Sequence, residues 1–127
     1  MIDALFTQPN YLAAKKGLDL VTLREEAIHQ NIANLETPGY KRVDVAAAFA
    51  TALQRATASR DPHAISAVKP QLAADPDAVP TGPDGNTVNL ESELVEMNKS
   101  NVAHALQTQL ITGSLLRLKL AILGKPA

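Results

Sequence analysis

The chain has 127 residues, 46% hydrophobic but only 3% aromatic, and 12 basic against 13 acidic residues give a formal net charge of −1. A chain this long holds one domain with a modest core; with two Phe, two Tyr and no Trp, its apolar content comes mostly from Ala, Leu and Val, which suits helix–helix seams. The near-neutral balance without a basic patch argues against nucleic acid, and the lack of cysteine excludes disulfides, thiolate zinc sites and cysteine nucleophiles.

The first nine residues read as a helical turn or two, closed by Pro9. Met1 to Phe6 lack the charged start and apolar core of a secretory signal, so no cleaved signal is expected. Asn10 suits the N-cap of a helix running to about Asn34. Along it Ala14, Leu18, Val21, Ile28, Ile32 and Leu35 form a stripe at three- and four-residue spacing, interrupted by Glu25. Leu12, Leu20, Leu23 and Ala27 form a weaker second stripe. Gly17 weakens this helix by up to about 1 kcal/mol relative to Ala and marks a flexible point.

The helix stops in Asn31-Ile32-Ala33-Asn34-Leu35-Glu36-Thr37-Pro38-Gly39-Tyr40-Lys41. Pro38 fixes its own φ and pushes Thr37 out of the helical region. Gly39 tolerates positive φ, so Pro38-Gly39 fits the centre of a type II turn. Asn31 and Asn34 offer amides to nearby backbone, and Tyr40 brings a ring with a polar tip that can pin the turn to a second surface. Beyond it, Asp44 to Ala56 reads as a short amphipathic helix with Val45, Phe49 and Leu53 at four-residue spacing.

Residues 57–87 hold five of the eight prolines and no sustained periodicity, which predicts a flexible loop. Asp84-Gly85-Asn86 closes it with turn chemistry. From Asn89, a candidate N-cap, to Leu123 only Gly113 weakens a continuous helix. The expected fold is therefore mainly α. Segments 1–56 and 88–127 form one helical domain, whose long N- and C-terminal helices pack as an antiparallel coiled-coil-like pair, with a short middle helix and a Pro-rich loop at 57–87.

The C-terminal helix carries two stripes. One holds Leu90, Leu94, Met97, Asn101, His104, Thr108, Ile111, Leu115, Leu118 and Ile122; the other holds Val95, Val102, Leu106, Leu110, Leu116 and Leu120. One partner helix covers only one of them, leaving the rest to seek other chains. Leu18, Val21, Ile28, Leu94, Met97, Val102, Leu106, Ile111 and Leu115 are accordingly the candidate helix-interface residues.

Catalytic chemistry is not visible. His29, His63 and His104 are scattered without metal-ligand spacing, and no nucleophile elbow, phosphate loop or dinucleotide fingerprint occurs. Asp75, Asp77 and Asp84-Gly85 fail the spacing of a calcium loop, which the intervening prolines forbid. Glu91, Glu93 and Glu96 read as one solvated face favouring the helix N-terminus. These features predict no enzyme, no cofactor, no metal and no small-molecule substrate.

The residues Leu18-Asp19-Leu20, Leu23-Arg24, Gln30-Asn31-Ile32-Ala33-Asn34 and Thr37-Pro38-Gly39-Tyr40-Lys41 resemble the N-terminal signature of bacterial flagellar rod and hook proteins, with Gln30 where the family usually has Asn. Asp84-Gly85-Asn86-Thr87-Val88-Asn89-Leu90-Glu91, then Glu93, Leu94 and Met97, and the ending Leu110-Ile111-Thr112-Gly113 look like the smallest, proximal-rod members. The resemblance covers roughly residues 12–44 and 84–123. The chain departs from the family at His104-Ala105, where an aromatic residue is frequent, and at Ser114, where a basic one is. The resemblance implies a self-assembling structural subunit of the basal-body rod in the periplasmic space, exported by the flagellar type III apparatus without a cleaved signal. It implies other rod subunits and the inner-membrane ring or its adaptor as partners, and Asn31, Ile32, Asn34, Thr37, Pro38, Gly39 and Tyr40 as the turn used in assembly. The alternative is a soluble helical adaptor or export chaperone that binds a partner's amphipathic helix.

Overall fold

The computed structural model describes residues 6–124, so most of the helical turns expected over residues 1–9 lie outside the described residues. The chain is mainly helical with short strands. Helix α1 spans Pro9–Ala33. It begins one residue before the expected cap Asn10, because Pro9 at the first helical position is already set in φ and lacks only an N–H that would be unpaired there. Strand β1 follows at Val43–Val45, then α2 at Ala48–Ser59, α3 at Pro62–Ala67, β2 at Leu72–Ala74 and α4 at Leu90–Leu123.

Two expectations about the middle of the chain are corrected. Asp44 and Val45 are not helical. They pair with the supposed loop, in an antiparallel ladder with Val43 opposite Ala74, Asp44 opposite Ala73 and Val45 opposite Leu72. Nor is the stretch 57–87 without regular structure. Helix α2 continues to Ser59, and α3 is capped by the Asp61 carboxylate accepting from the His63 N–H at 2.9 Å. Ile65 of α3 is fully buried. One buried side chain and a three-residue strand have no local periodicity, so only the folded arrangement reveals them.

The apolar core is small, comprising Ala14, Val21, Ala27, Ile28, Phe49, Ala56, Ile65 and Val88 among the described residues. Helix α4, 34 residues long, extends about 50 Å at 1.5 Å per residue. Asn89 caps it, its side chain accepting from the Ser92 N–H at 3.0 Å, with Glu91 and Glu93 in the first turn. It ends at Gly124, whose φ of 63° lets its N–H return to the Leu120 carbonyl at 2.8 Å.

Helices α1 and α4 touch in reverse order along their lengths, through Asn31 with Glu93, Glu25 with Ser100, and Gly17 with Gln107. The α4 face turned to α1 carries a polar column, Glu93, Ser100, Gln107 and Ser114, of which Glu93 and Ser100 are buried and the other two half-buried, flanked by the half-buried Met97, Ile111 and Leu118. Small residues of α1 admit it. A Cβ at Gly17 would fall 2.5 Å from Oε1 of Gln107, so this glycine marks a close helix approach, where a flexible point was expected. Consequently α4 keeps most of its large apolar side chains on the outside.

Candidate assembly site at the base of the helix pair

Around the Pro38-Gly39 turn the two segments carrying the resemblance meet. Gly39 has φ 71°, and the Tyr40 N–H donates to the Thr37 carbonyl at 3.2 Å, as the type II turn requires. The Gly39 N–H donates to the Asp84 carbonyl at 2.9 Å, the Thr87 N–H to the Tyr40 carbonyl at 3.1 Å, and the Arg42 N–H to the Thr87 hydroxyl at 2.8 Å. Segment 37–42 is thus zipped to segment 84–87, itself turned by Gly85 at φ 77°.

Two buried asparagines close the junction. Asn86 stops the carbonyls that α1 leaves unpaired at its end: its amide nitrogen donates to Asn34 at 2.9 Å, Leu35 at 3.0 Å and Thr37 at 2.8 Å, while its oxygen accepts from the Val88 N–H at 2.8 Å. Asn31, fully buried, behaves as an extra strand residue. It donates to the Val43 carbonyl and accepts from the Val43 N–H, both at 2.9 Å. It also donates to Glu93 at 3.3 Å and accepts from the Tyr40 hydroxyl at 3.4 Å. Asn34 stays local, donating to the Gln30 carbonyl at 2.8 Å and accepting from the Thr37 hydroxyl at 3.2 Å.

At the centre sits Arg42. Its guanidinium reaches Glu93 at 2.5 Å, Asp75 at 2.8 Å and Asp44 at 3.1 Å, joining α4, the end of β2 and β1. Arg24 of α1 adds a longer contact to Asp44 at 3.5 Å. Burial works to lower the proton affinity of Arg42, but hydrogen bonds to Glu93 and Asp44 and their charges outweigh it and hold the group above its ordinary range. The Tyr40 phenol is also raised, first by burial and then by the negative charge of Glu93. A cavity of about 510 Å³ opens beside this network, lined among others by Arg42, Asp44, Asp75, Asp77 and Glu96. No group of three or more His, Cys, Asp or Glu among the described residues is arranged to hold a metal ion.

Of the turn residues singled out in the sequence, Asn31, Asn34, Thr37, Gly39 and Tyr40 make these bonds, Ile32 is half-buried, and Pro38 is exposed. The reading of Glu93 as part of a solvated face is overturned: it is fully buried on Arg42 and Asn31. Sequence reading missed Arg42 altogether, and it gave Asn86 only as turn chemistry and Asp75 only as part of a failed calcium loop. The one available signal was the column of polar residues at 93, 100, 107 and 114, which repeats every seven residues on a helix whose apolar stripes lie elsewhere.

The candidate interface residues divide. Val21 and Ile28 are buried, and Leu18, Met97 and Ile111 half-buried, while Leu94, Val102, Leu106 and Leu115 are exposed. Leu94 and Leu115 share a stripe with Met97 and Ile111 but are exposed, and Glu93, Ser100 and Gln107 are among the residues that touch α1. His104, from the same stripe, does reach α1, with Nδ1 at 3.4 Å from the Glu25 carboxylate. No helix among the described residues is long and apolar enough to cross a membrane. Compared with known proteins, the chain matches no family model and no curated relative.

Proposed function

We propose that the chain is a structural subunit of the bacterial flagellar basal-body rod, of the proximal type, which assembles through its terminal helices and transmits torque in flagellum-dependent motility. The observation that carries this reading is the docking of residues 37–42 onto residues 84–87. The two stretches that resemble the rod family, far apart in sequence, build one junction whose hydrogen bonds hold the end of α1 to the start of α4. Such a junction suits load transfer between helices. The exposed side chains Val102 and Leu106 supply the surface on which neighbouring subunits pack, because isolated soluble chains rarely leave a long apolar helix face uncovered. On this reading α1 and α4 act as an antiparallel coiled-coil-like pair, and segments 1–56 and 88–127 as one helical domain. The chain leaves the cell interior through the flagellar export apparatus. Its partners are other rod subunits and the inner-membrane ring or its adaptor.

The test is complementation of a strain lacking the chain with a tagged copy, followed by purification of basal bodies. Restored motility with the tag in the rod fraction is expected. Recovery of the tag only in a small closed complex outside the basal body would favour the helical adaptor instead.

A further inference from the structure

We infer that the outward face of α4 pairs with the same face of a second copy of this chain, the two helices running antiparallel about a two-fold axis near residues 104–105. Facing away from α1, Val95, Val102 and Leu106 are 52%, 71% and 54% exposed. They belong to two adjacent columns of seven-residue repeat: Val95, Val102, Gln109 and Leu116 in one, Lys99, Leu106, Gly113 and Leu120 in the other. That is the pattern of a coiled-coil seam. In an antiparallel pair one column faces the other, and a single register satisfies both. Val102 then meets the partner's Leu106 and, by symmetry, Leu106 meets the partner's Val102. Val95 meets the partner's Gly113, and the space beyond Gly113 is open, since a Cβ there would touch nothing within 4 Å.

Charge selects this arrangement. The first turn of α4 is acidic and its far end carries Arg117 and Lys119, with His104 the sole titratable residue between Lys99 and Arg117. In the antiparallel register Glu91 flanks the partner's Lys119 at both ends of the seam. A parallel pair in register would set Lys99 against the partner's Lys99 and Glu91 against the partner's Glu96, both repulsive. The occupant that α4 complements is thus another α4, reversed. The inference does not rest on the rod reading, because a two-fold pair is closed whereas a rod grows without closing. If both hold, the pair is a resting state that shields the same face before assembly.

Sedimentation equilibrium on the full chain tests it, with circular dichroism as a check that the exposed-site variants stay folded. Wild type is expected to dimerise reversibly. Glu91→Lys or Lys119→Glu alone weakens the dimer about tenfold, since each reverses a symmetry-related pair of surface ion pairs, and the two changes together restore it. Because the chain has no cysteine, oxidative cross-linking gives the direction: a mixture of Val102→Cys and Leu106→Cys chains joins readily, whereas Leu106→Cys alone does not. A chain monomeric at all concentrations, tighter pairing of Glu91→Lys, or ready cross-linking of Leu106→Cys alone would each overturn the proposal. Growth into an open polymer would also overturn it while leaving the rod reading standing, and a chain that dimerises but is never found in basal bodies would do the reverse.

Discussion

The guanidinium of Arg42 donates to the carboxylate of Glu93 at 2.5 Å, across 51 positions of sequence, and Glu93 has no exposed surface. The pair fixes where α4 begins relative to the turn that ends α1. Neither charge is left alone: Asn31 takes the second oxygen of Glu93, and Asp44 and Asp75 share the guanidinium.

Removing one partner of such a pair leaves a buried charge without a counterion. Arg42→Ala is therefore expected to destabilise the chain by about 3–5 kcal/mol, read as a lower urea midpoint. Glu93→Gln keeps the shape and can still bond Asn31, so it is expected to cost less than Arg42→Ala. Equal midpoints for Arg42→Ala and wild type would show that the clasp contributes nothing to the fold.

Gly39 presents a purely conformational demand. A Cβ there would touch nothing within 4 Å, yet φ is 71°. Gly39→Ala is expected to cost about 1 kcal/mol and Gly39→Val more, because β-branched residues are strongly disfavoured at positive φ. Lys41→Ala, which loses only an exposed 3.3 Å bond to the Gly85 carbonyl, should be mild. Thermal melts of the three variants rank them, and a Gly39→Val chain as stable as Lys41→Ala would contradict the turn.

Tyr40 predicts a pH dependence. Its phenol titrates above the ordinary 10.0 because burial and Glu93 disfavour the phenolate. Above pH 10 the unfolded chain loses this proton before the folded one does, so stability falls as pH rises until the folded group also ionises. Tyr40→Phe removes this contribution, and its urea midpoint should decline less steeply than that of wild type between neutral and strongly alkaline pH. Identical slopes would place Tyr40 outside the buried network.

What the sequence made legible was local. The proline and glycine of the turn, the Asn89 cap and the continuity of α4 each depend on a few adjacent residues, and each stands in the structure. What it hid was long-range. The ladder of Val43–Val45 with Leu72–Ala74 and the burial of Ile65 carry no periodic signal. The inward face of α4 gives little hydrophobic signal, because Glu93, Ser100 and Gln107 sit there, Gln107 beside Gly17 and Glu93 on the half-buried Arg42.

Whether the outward face of α4 is a surface between chains is decided most directly by Leu106→Asp beside Ile111→Asp. Leu106 is 54% exposed and Ile111 is half-buried. In the free chain Leu106→Asp should cost only about half a kcal/mol of helix propensity, while Ile111→Asp should lower the melting temperature clearly. In an assembly the aspartate at position 106 would lie in an apolar seam, a cost of several kcal/mol repeated at every contact. The measurement is the melting temperature of each purified variant together with its recovery in basal bodies from a complemented strain. The expected result is a Leu106→Asp chain that melts like wild type at concentrations too low for wild type to dimerise and is missing from the rod. A Leu106→Asp chain that incorporates normally, or that unfolds as readily as Ile111→Asp, would contradict it.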